Sequence, residues 1–297
     1  MKILVTGANG LLGQKLCQLL DQDAAIELIA TARRELVITL RRGTFKMMDV
    51  TQERDVIDVI ETVQPDVVVH TAAMTQVDQC ESEREACWLN NVTAVEYLTK
   101  VCERNSVHLV HVSTDFIFDG TEGPLDETAV PNPISYYGES KLAAELAVQK
   151  MKTRWAILRT VLVYGVTRDM SRSNIVLWVK KSLEEGKSIN VVNDQWRTPT
   201  LAEDLALGCY LAAKKKAHGV FNISGDEMMT PWDIAMRTAE YFKLDKSLIH
   251  AANSATFSQP AKRPPKTGFI IDKARRELNY QPHSFNAGLS IVASQLA

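Results

Sequence analysis

The stretch SYYGESKLAAE, residues 135–145, places Tyr137 four residues before Lys141. On a helix, positions i and i+4 share one face and lie a few ångströms apart. A phenol that ionises near pH 10 is a poor acid–base group at neutrality, and a nearby ammonium lowers that value. Such a pair can protonate a carbonyl oxygen as hydride reaches its carbon, or deprotonate an alcohol in reverse. Tyr136 points about 100° away round the helix, so it packs or lines a wall. Twenty-three residues before Tyr137, VHVSTDFIFDG places Thr114 at the end of an apolar run. Its hydroxyl can hydrogen-bond the same reacting oxygen and orient it. Tyr-x-x-x-Lys alone carries little weight, since both residues are common on helices. Its force comes from a second motif at the start of the chain.

VTGANGLLG places Gly7, Gly10 and Gly13 directly after a first apolar strand and at the opening of a helix. A chain that turns sharply, brings its backbone against a pyrophosphate and packs helix on strand has no room for side chains there. The helix N-terminus then offers free N–H groups to phosphates. Asn9, Leu11 and Leu12 complete this candidate cofactor-binding loop. In the NAD version an acidic residue about 20 positions on holds the ribose 2′-hydroxyl. Here the segment reads IATARREL, with no acid at the strand end and Arg33 and Arg34 after it. A guanidinium pairs with a 2′-phosphate, so NADP(H) is favoured over NAD(H).

These side chains need a frame, and the pattern supplies one. Strands are expected over 2–6, 27–31, 44–50, 66–72, 108–114 and 155–160. Helices are expected over 11–21, 52–63, 83–103 and the segment carrying YYGESKLAAELAVQK. Strands apolar throughout and alternating with helices indicate an α/β fold with a Rossmann-type, doubly wound parallel sheet covered on both faces. Thr114, at the carboxyl end of its strand, then lies where ligands bind such sheets. Residues 1–165 read as the dinucleotide-binding domain. Residues 166–297 read as a smaller, mostly helical substrate-binding part, from which a strand near 219–224 returns to the sheet. Trp88, Trp155, Trp178 and Trp232 fall in apolar patterns and are expected in the core.

The composition excludes several classes. A net charge of -2 over 297 residues leaves no electrostatic footprint for nucleic acid or an anionic membrane. Five widely spaced cysteines without C-x-x-C argue against a disulfide framework, and six scattered histidines form no metal-ligand pattern. No metal is expected. No stretch approaches a membrane span and the first residues lack a signal-peptide core, so a cytoplasmic location is expected. The partner is a small molecule, and the sequence leaves a homodimer open.

The glycine loop, HTAAMTQVDQCE after the fourth strand, STDFIFDG and YGESK together resemble the extended short-chain dehydrogenase/reductase family. Within it the likeness is to the dTDP-4-dehydrorhamnose reductase branch. LNNVTAVEYL, RTVLVYG and VNDQWRTPTLAEDLA extend it to about residue 206, and FNISG and RPPKTGFIIDKARRELNYQP continue it more loosely. The resemblance implies an NAD(P)-dependent oxidoreductase. It makes Tyr137 the general acid and Thr114 the catalytic hydroxyl. Lys141 lowers the tyrosine's pKa and holds the nicotinamide ribose. Asp49 and Val50 border the adenine, and Ala72, Ala73 and Met74 line the cofactor. Asn91 matches the family's asparagine beneath the active site. Thr75, Asp78 and Asp115 face the substrate.

One position departs from that branch. Where the rhamnose-forming reductases carry a tryptophan thought to contact the sugar nucleotide, this chain has Leu162, without the aromatic face or the N–H donor. SRSN…NDQWRTPT is the candidate second wall of the substrate pocket, with Asn174, Gln195, Trp196 and Arg197 offering hydrogen bonds, stacking and charge to a diphosphate. The function expected is reduction of a keto group on a nucleotide-activated sugar. The alternatives are a sugar-nucleotide epimerase with a tightly bound cofactor and a non-catalytic, cofactor-binding regulatory subunit. Phe116, where the family's dehydratases have glutamate, counts against dehydration.

Overall fold

A computed structural model describes residues 1–168, 174–257 and 259–297. The chain opens with β1 (Lys2–Thr6), α1 (Leu11–Gln22), β2 (Glu27–Ala32), β3 (Thr44–Met47), α2 (Glu53–Val63) and β4 (Val67–His70). Two short helices, α3 (Val77–Ser82) and α4 (Arg84–Trp88), lead through a wide π turn (Leu89–Thr93) into α5 (Ala94–Arg104). Then come β5 (His108–Thr114), α6 (Tyr136–Gln149) and β6 (Trp155–Thr160). The later part contains β7 (Val163–Tyr164), α7 (Ile175–Glu184), β8 (Ile189–Val192), β9 (Thr200–Leu201) and α8 (Ala202–Lys214). It ends with β10 (Gly219–Asn222), α9 (Pro231–Tyr241), β11 (Ile249–Ala252) and α10 (Phe285–Leu296).

Seven strands form one parallel sheet in the order β10-β6-β5-β4-β1-β2-β3. Alternate residues of each strand feed different cores, which is why the strands are apolar throughout. Ile3, Val5, Val67, Val69 and Val110 pack under α1 and α8. Leu4, Val68, Leu109 and Ile157 pack under α2, α5 and α6. The strand order reverses between β1 and β4, and a crevice opens at their carboxyl ends, where this architecture binds ligands.

The expected strands recur with small changes, the third ending at Met47 and the fourth spanning only Val67–His70. The helix expected over 83–103 is instead interrupted by the π turn. The segment after 226, expected to be mostly helical, also holds β11, which pairs in parallel with β8. The tryptophan expectation fails twice: Trp88 is 41% and Trp178 40% exposed. Trp178 lies opposite the buried face of α7 formed by Val176, Val179 and Leu183. No helix among the described residues is long and apolar enough to cross a membrane.

Candidate active site

The crevice is a cavity of about 550 Å³, and the glycine loop, Thr114, Tyr137 and Lys141 all line it. The loop is built for close approach. Gly7 has φ +70, and a Cβ there would stand 2.8 Å from the Ala72 nitrogen. At Gly13 a Cβ would meet the Gly7 carbonyl oxygen at 2.1 Å. Gly10 caps α1 without a side chain, so the N–H groups of Leu11, Leu12 and Gly13 have no partner within the helix and face the cavity. That cradle fits the pyrophosphate of a dinucleotide. Asn9 fixes the loop that follows β2. Its Nδ2 donates to the Glu35 carbonyl at 2.8 Å and its Oδ1 accepts from the Val37 N–H at 3.0 Å. Arg33 and Arg34 stand exposed on that loop, with no ion pair among the described residues.

Tyr137 reaches the cavity because α6 docks tightly. Ser135 caps the helix by accepting from the Gly138 N–H at 3.2 Å. A Cβ at Gly138 would lie 2.2 Å from the Phe116 carbonyl oxygen, so only glycine lets the first turn sit against the segment after Thr114. Asn91 braces the same region from the π turn. Its Oδ1 accepts from the Met74 N–H at 2.8 Å, and its Nδ2 donates to the Met74 carbonyl and the Ser140 hydroxyl, both at 3.0 Å. π turns recur at functional sites. Here the turn carries Asn91 into full burial.

Tyr137 is 7% exposed and packs edge-on against Phe116. Burial pushes its phenol well above its ordinary value, and a hydrogen bond with Thr114 partly offsets that. The net shift is upward, against the lowering expected from Lys141. The Lys141 ammonium donates to the Val112 carbonyl at 2.8 Å and lies 3.3 Å from His111 Nε2. Burial brings Lys141 itself down to about 8. Tyr136 is turned aside as its spacing requires, with the Arg84 guanidinium 4.7 Å above its ring.

The other expected residues divide. Ala73, Thr75, Leu162 and Asn174 line the cavity. Leu162 holds a left-handed backbone at φ 36, a strained conformation for a leucine. Gln195, Trp196 and Arg197 lie outside the cavity lining, as do Asp49, Val50, Ala72 and Met74. The residues 171–173 of the SRSN motif lie outside the described residues.

Three expected substrate contacts, Asp115, Arg197 and Asp78, are engaged by the chain itself. Asp115 and Arg197 face each other as a buried pair, Oδ2 to Nε 3.6 Å. Arg197 also donates to the carbonyls of Trp196 at 2.7 Å and Pro264 at 2.6 Å. Thr267 donates to Asp115 Oδ2, and Thr114 donates to Asp115 Oδ1 at 3.1 Å. Burial raises the Asp115 carboxyl against the lowering pull of Arg197. Asp78 is bound by Arg263 through two contacts at 2.7 and 3.1 Å, which lowers its pKa. Sequence reasoning missed Arg263 and Thr267 because they lie more than 150 positions from their partners. It could have found Gly138, which interrupts an otherwise ordinary helix start.

Comparison with known proteins places the chain. A profile described as RmlD substrate binding domain matches residues 1–297. The chain belongs to this family. It is thereby an NAD(P)-dependent oxidoreductase of the extended short-chain dehydrogenase/reductase superfamily. It is 31% identical over 280 residues to a probable low-salt glycan biosynthesis reductase of Haloferax volcanii, covering 94% of this chain and 92% of that protein. It is 33% identical over 251 residues to methionine adenosyltransferase 2 subunit beta of Xenopus laevis, covering 83% and 73%. The crystal structure of dTDP-4-dehydrorhamnose reductase from Bacillus anthracis in complex with NADP superposes with a TM-score of 0.85 at 25% identity, covering 99% of each chain.

Proposed function

We propose that the chain reduces a keto group on a nucleotide-activated sugar, of the dTDP-4-dehydrorhamnose kind, with NADPH as the preferred reductant. The observation that carries this reading is that Tyr137, Thr114 and Lys141 line one cavity with the glycine loop. When bound, the reduced nicotinamide supplies the hydride. Tyr137, kept protonated by burial, donates its proton to the carbonyl oxygen, leaving an alcohol. Thr114, whose single hydroxyl proton rests on Asp115 Oδ1 in this structure, turns that proton to the carbonyl oxygen when substrate is bound and orients it. Lys141 holds the cofactor ribose beside them. Arg33 and Arg34 pair with the 2′-phosphate, in keeping with the NADP complex of the related reductase. Leu162 replaces an aromatic contact to the sugar nucleotide. Residues 1–165, with the strand near 219–224, hold the dinucleotide, and 166–297 supply most of the substrate wall.

A second reading is a subunit that holds the cofactor without turnover, favoured by the likeness to methionine adenosyltransferase 2 subunit beta. Incubation with NADPH and a panel of dTDP-4-keto sugars separates the two. A reductase consumes NADPH in step with substrate. Substrate converted without NADPH loss points to epimerisation, and no change with any sugar supports the subunit reading.

A further inference from the structure

Beneath Lys141 lie two buried histidines that this reduction does not use. His70 on β4 and His111 on β5 are direct neighbours in the sheet. They are 1% and 0% exposed, and their rings stack with centroids 5.5 Å apart. His111 Nε2 lies 3.3 Å from Lys141 Nζ, and Lys141 is itself only 3% exposed. An ammonium has donors and no acceptor. His111 Nε2 must therefore be bare, and the ring carries its one proton on Nδ1. His70 is fixed from the other side. Thr6 Oγ1 accepts from the N–H groups of Thr71 and Ala72, so its own proton goes to His70 Nδ1 at 2.7 Å. The two neutral imidazoles touch by stacking alone, since His70 Nε2 and His111 Nδ1 have no hydrogen-bond partner among the described residues.

We propose that His111 is a positioning residue: its bare Nε2 holds the Lys141 ammonium in place and sets the alkaline limit of the active site. The inference rests on the reductase reading above, since it assigns a partner to that site's lysine. The charged and titratable groups facing Lys141 are few. His111 and His70 face it from the sheet, Cys87 from α4, and Glu145 from its own helix, while Tyr137 lines the same cavity. Glu145 is paired with Arg159 at 2.7 Å and still favours the Lys141 ammonium through its charge. Burial and the nearby ammonium hold His111 well below its ordinary value. It stays neutral while Lys141 titrates near 8, and the acceptor is constant throughout. Removing that acceptor leaves the ammonium one hydrogen-bond acceptor among the described residues, the Val112 carbonyl, beside the charges of Glu145 and Cys87, which disfavours the charged form and lowers the lysine's pKa.

The test is the pH profile of kcat in wild type, His111→Leu and His111→Gln, with whichever dTDP-4-keto sugar turns over. Leucine should move the alkaline limb down by about one pH unit. Glutamine, whose amide oxygen accepts a hydrogen bond, should restore most of it. An unmoved limb in His111→Leu, or a limb displaced equally in both variants, overturns the proposal. If leucine prevents folding, nitrogen NMR of the histidine-labelled wild-type chain decides instead. His111 should show a proton on Nδ1 and a bare Nε2 from about pH 5 to about pH 9, and Lys141→Met should move the Nε2 resonance. A protonated Nε2, or a resonance indifferent to Lys141→Met, also overturns it. The NMR readout needs no turnover. A wild-type chain that consumes no NADPH therefore refutes the reductase reading and leaves the histidine–lysine contact to be judged separately.

Discussion

At the scale of single residues, Tyr137 and Lys141 divide their work by burial. The phenol is raised and stays protonated, which suits an acid, while the lysine is lowered to about 8. Tyr137→Phe should lower kcat by about 10²–10⁴-fold, with NADPH affinity retained by fluorescence titration. Unchanged turnover would mean that another group donates the proton. The sign of the pH dependence follows from the lysine. Its ammonium is present below its folded pKa and lost above it, so kcat should fall as pH rises through about 8. A flat profile to pH 10 would contradict that. On the exposed segment after β2, replacing Arg33 and Arg34 together by alanine should remove charge-assisted bonds worth about 1.5–3 kcal/mol. NADPH affinity should drop by roughly ten- to hundredfold while NADH affinity stays level. Equal losses for both cofactors would show that neither guanidinium reads the 2′-phosphate.

At the scale of elements, the docking of α6 against the end of β5 decides whether these residues meet. Gly138→Ala forces a Cβ against the Phe116 carbonyl, and backbone cannot yield as a side chain tip can. This variant should fold with native circular dichroism and lose turnover by at least about tenfold through misplacement of Tyr137; retained kcat would show that the helix shifts without moving the phenol. Much of this level was legible in the sequence. β1, α1 and the glycine loop follow from apolar runs and glycine spacing, and Tyr137 was separable from Tyr136 by helical period alone. β8 and β11 were not, because strands of four residues with exposed positions inside them look like loops. The π turn was invisible too, since one extra residue per turn leaves the apolar pattern of α4 and α5 nearly intact.

At the scale of the whole molecule, a segment from the last part of the chain straps the site. Arg263 grips Asp78, Thr267 and Arg197 hold Asp115, and Pro264 accepts from Arg197. This strap was illegible because ion pairs between distant positions leave no local signal, and the same carboxylates therefore read as substrate contacts. Breaking a buried pair by removing one partner costs about 3–5 kcal/mol. Arg197→Met should accordingly lower Tm by about 10 °C, and adding Asp115→Asn should recover part of the loss. A calorimetric scan showing additive losses would mean that the two groups do not depend on each other. The strap and the sheet order also bear on how the polypeptide is made. β10 covers the open side of β6, and among the described residues Asp115 meets its ion-pair partner Arg197 and the donor Thr267 only once both have been synthesised. A ribosome that has released only the first 165 residues therefore displays a bare strand edge and an uncompensated charge. The first half of this polypeptide therefore keeps one strand edge open until its last third emerges, and an open edge of that kind invites pairing with other chains.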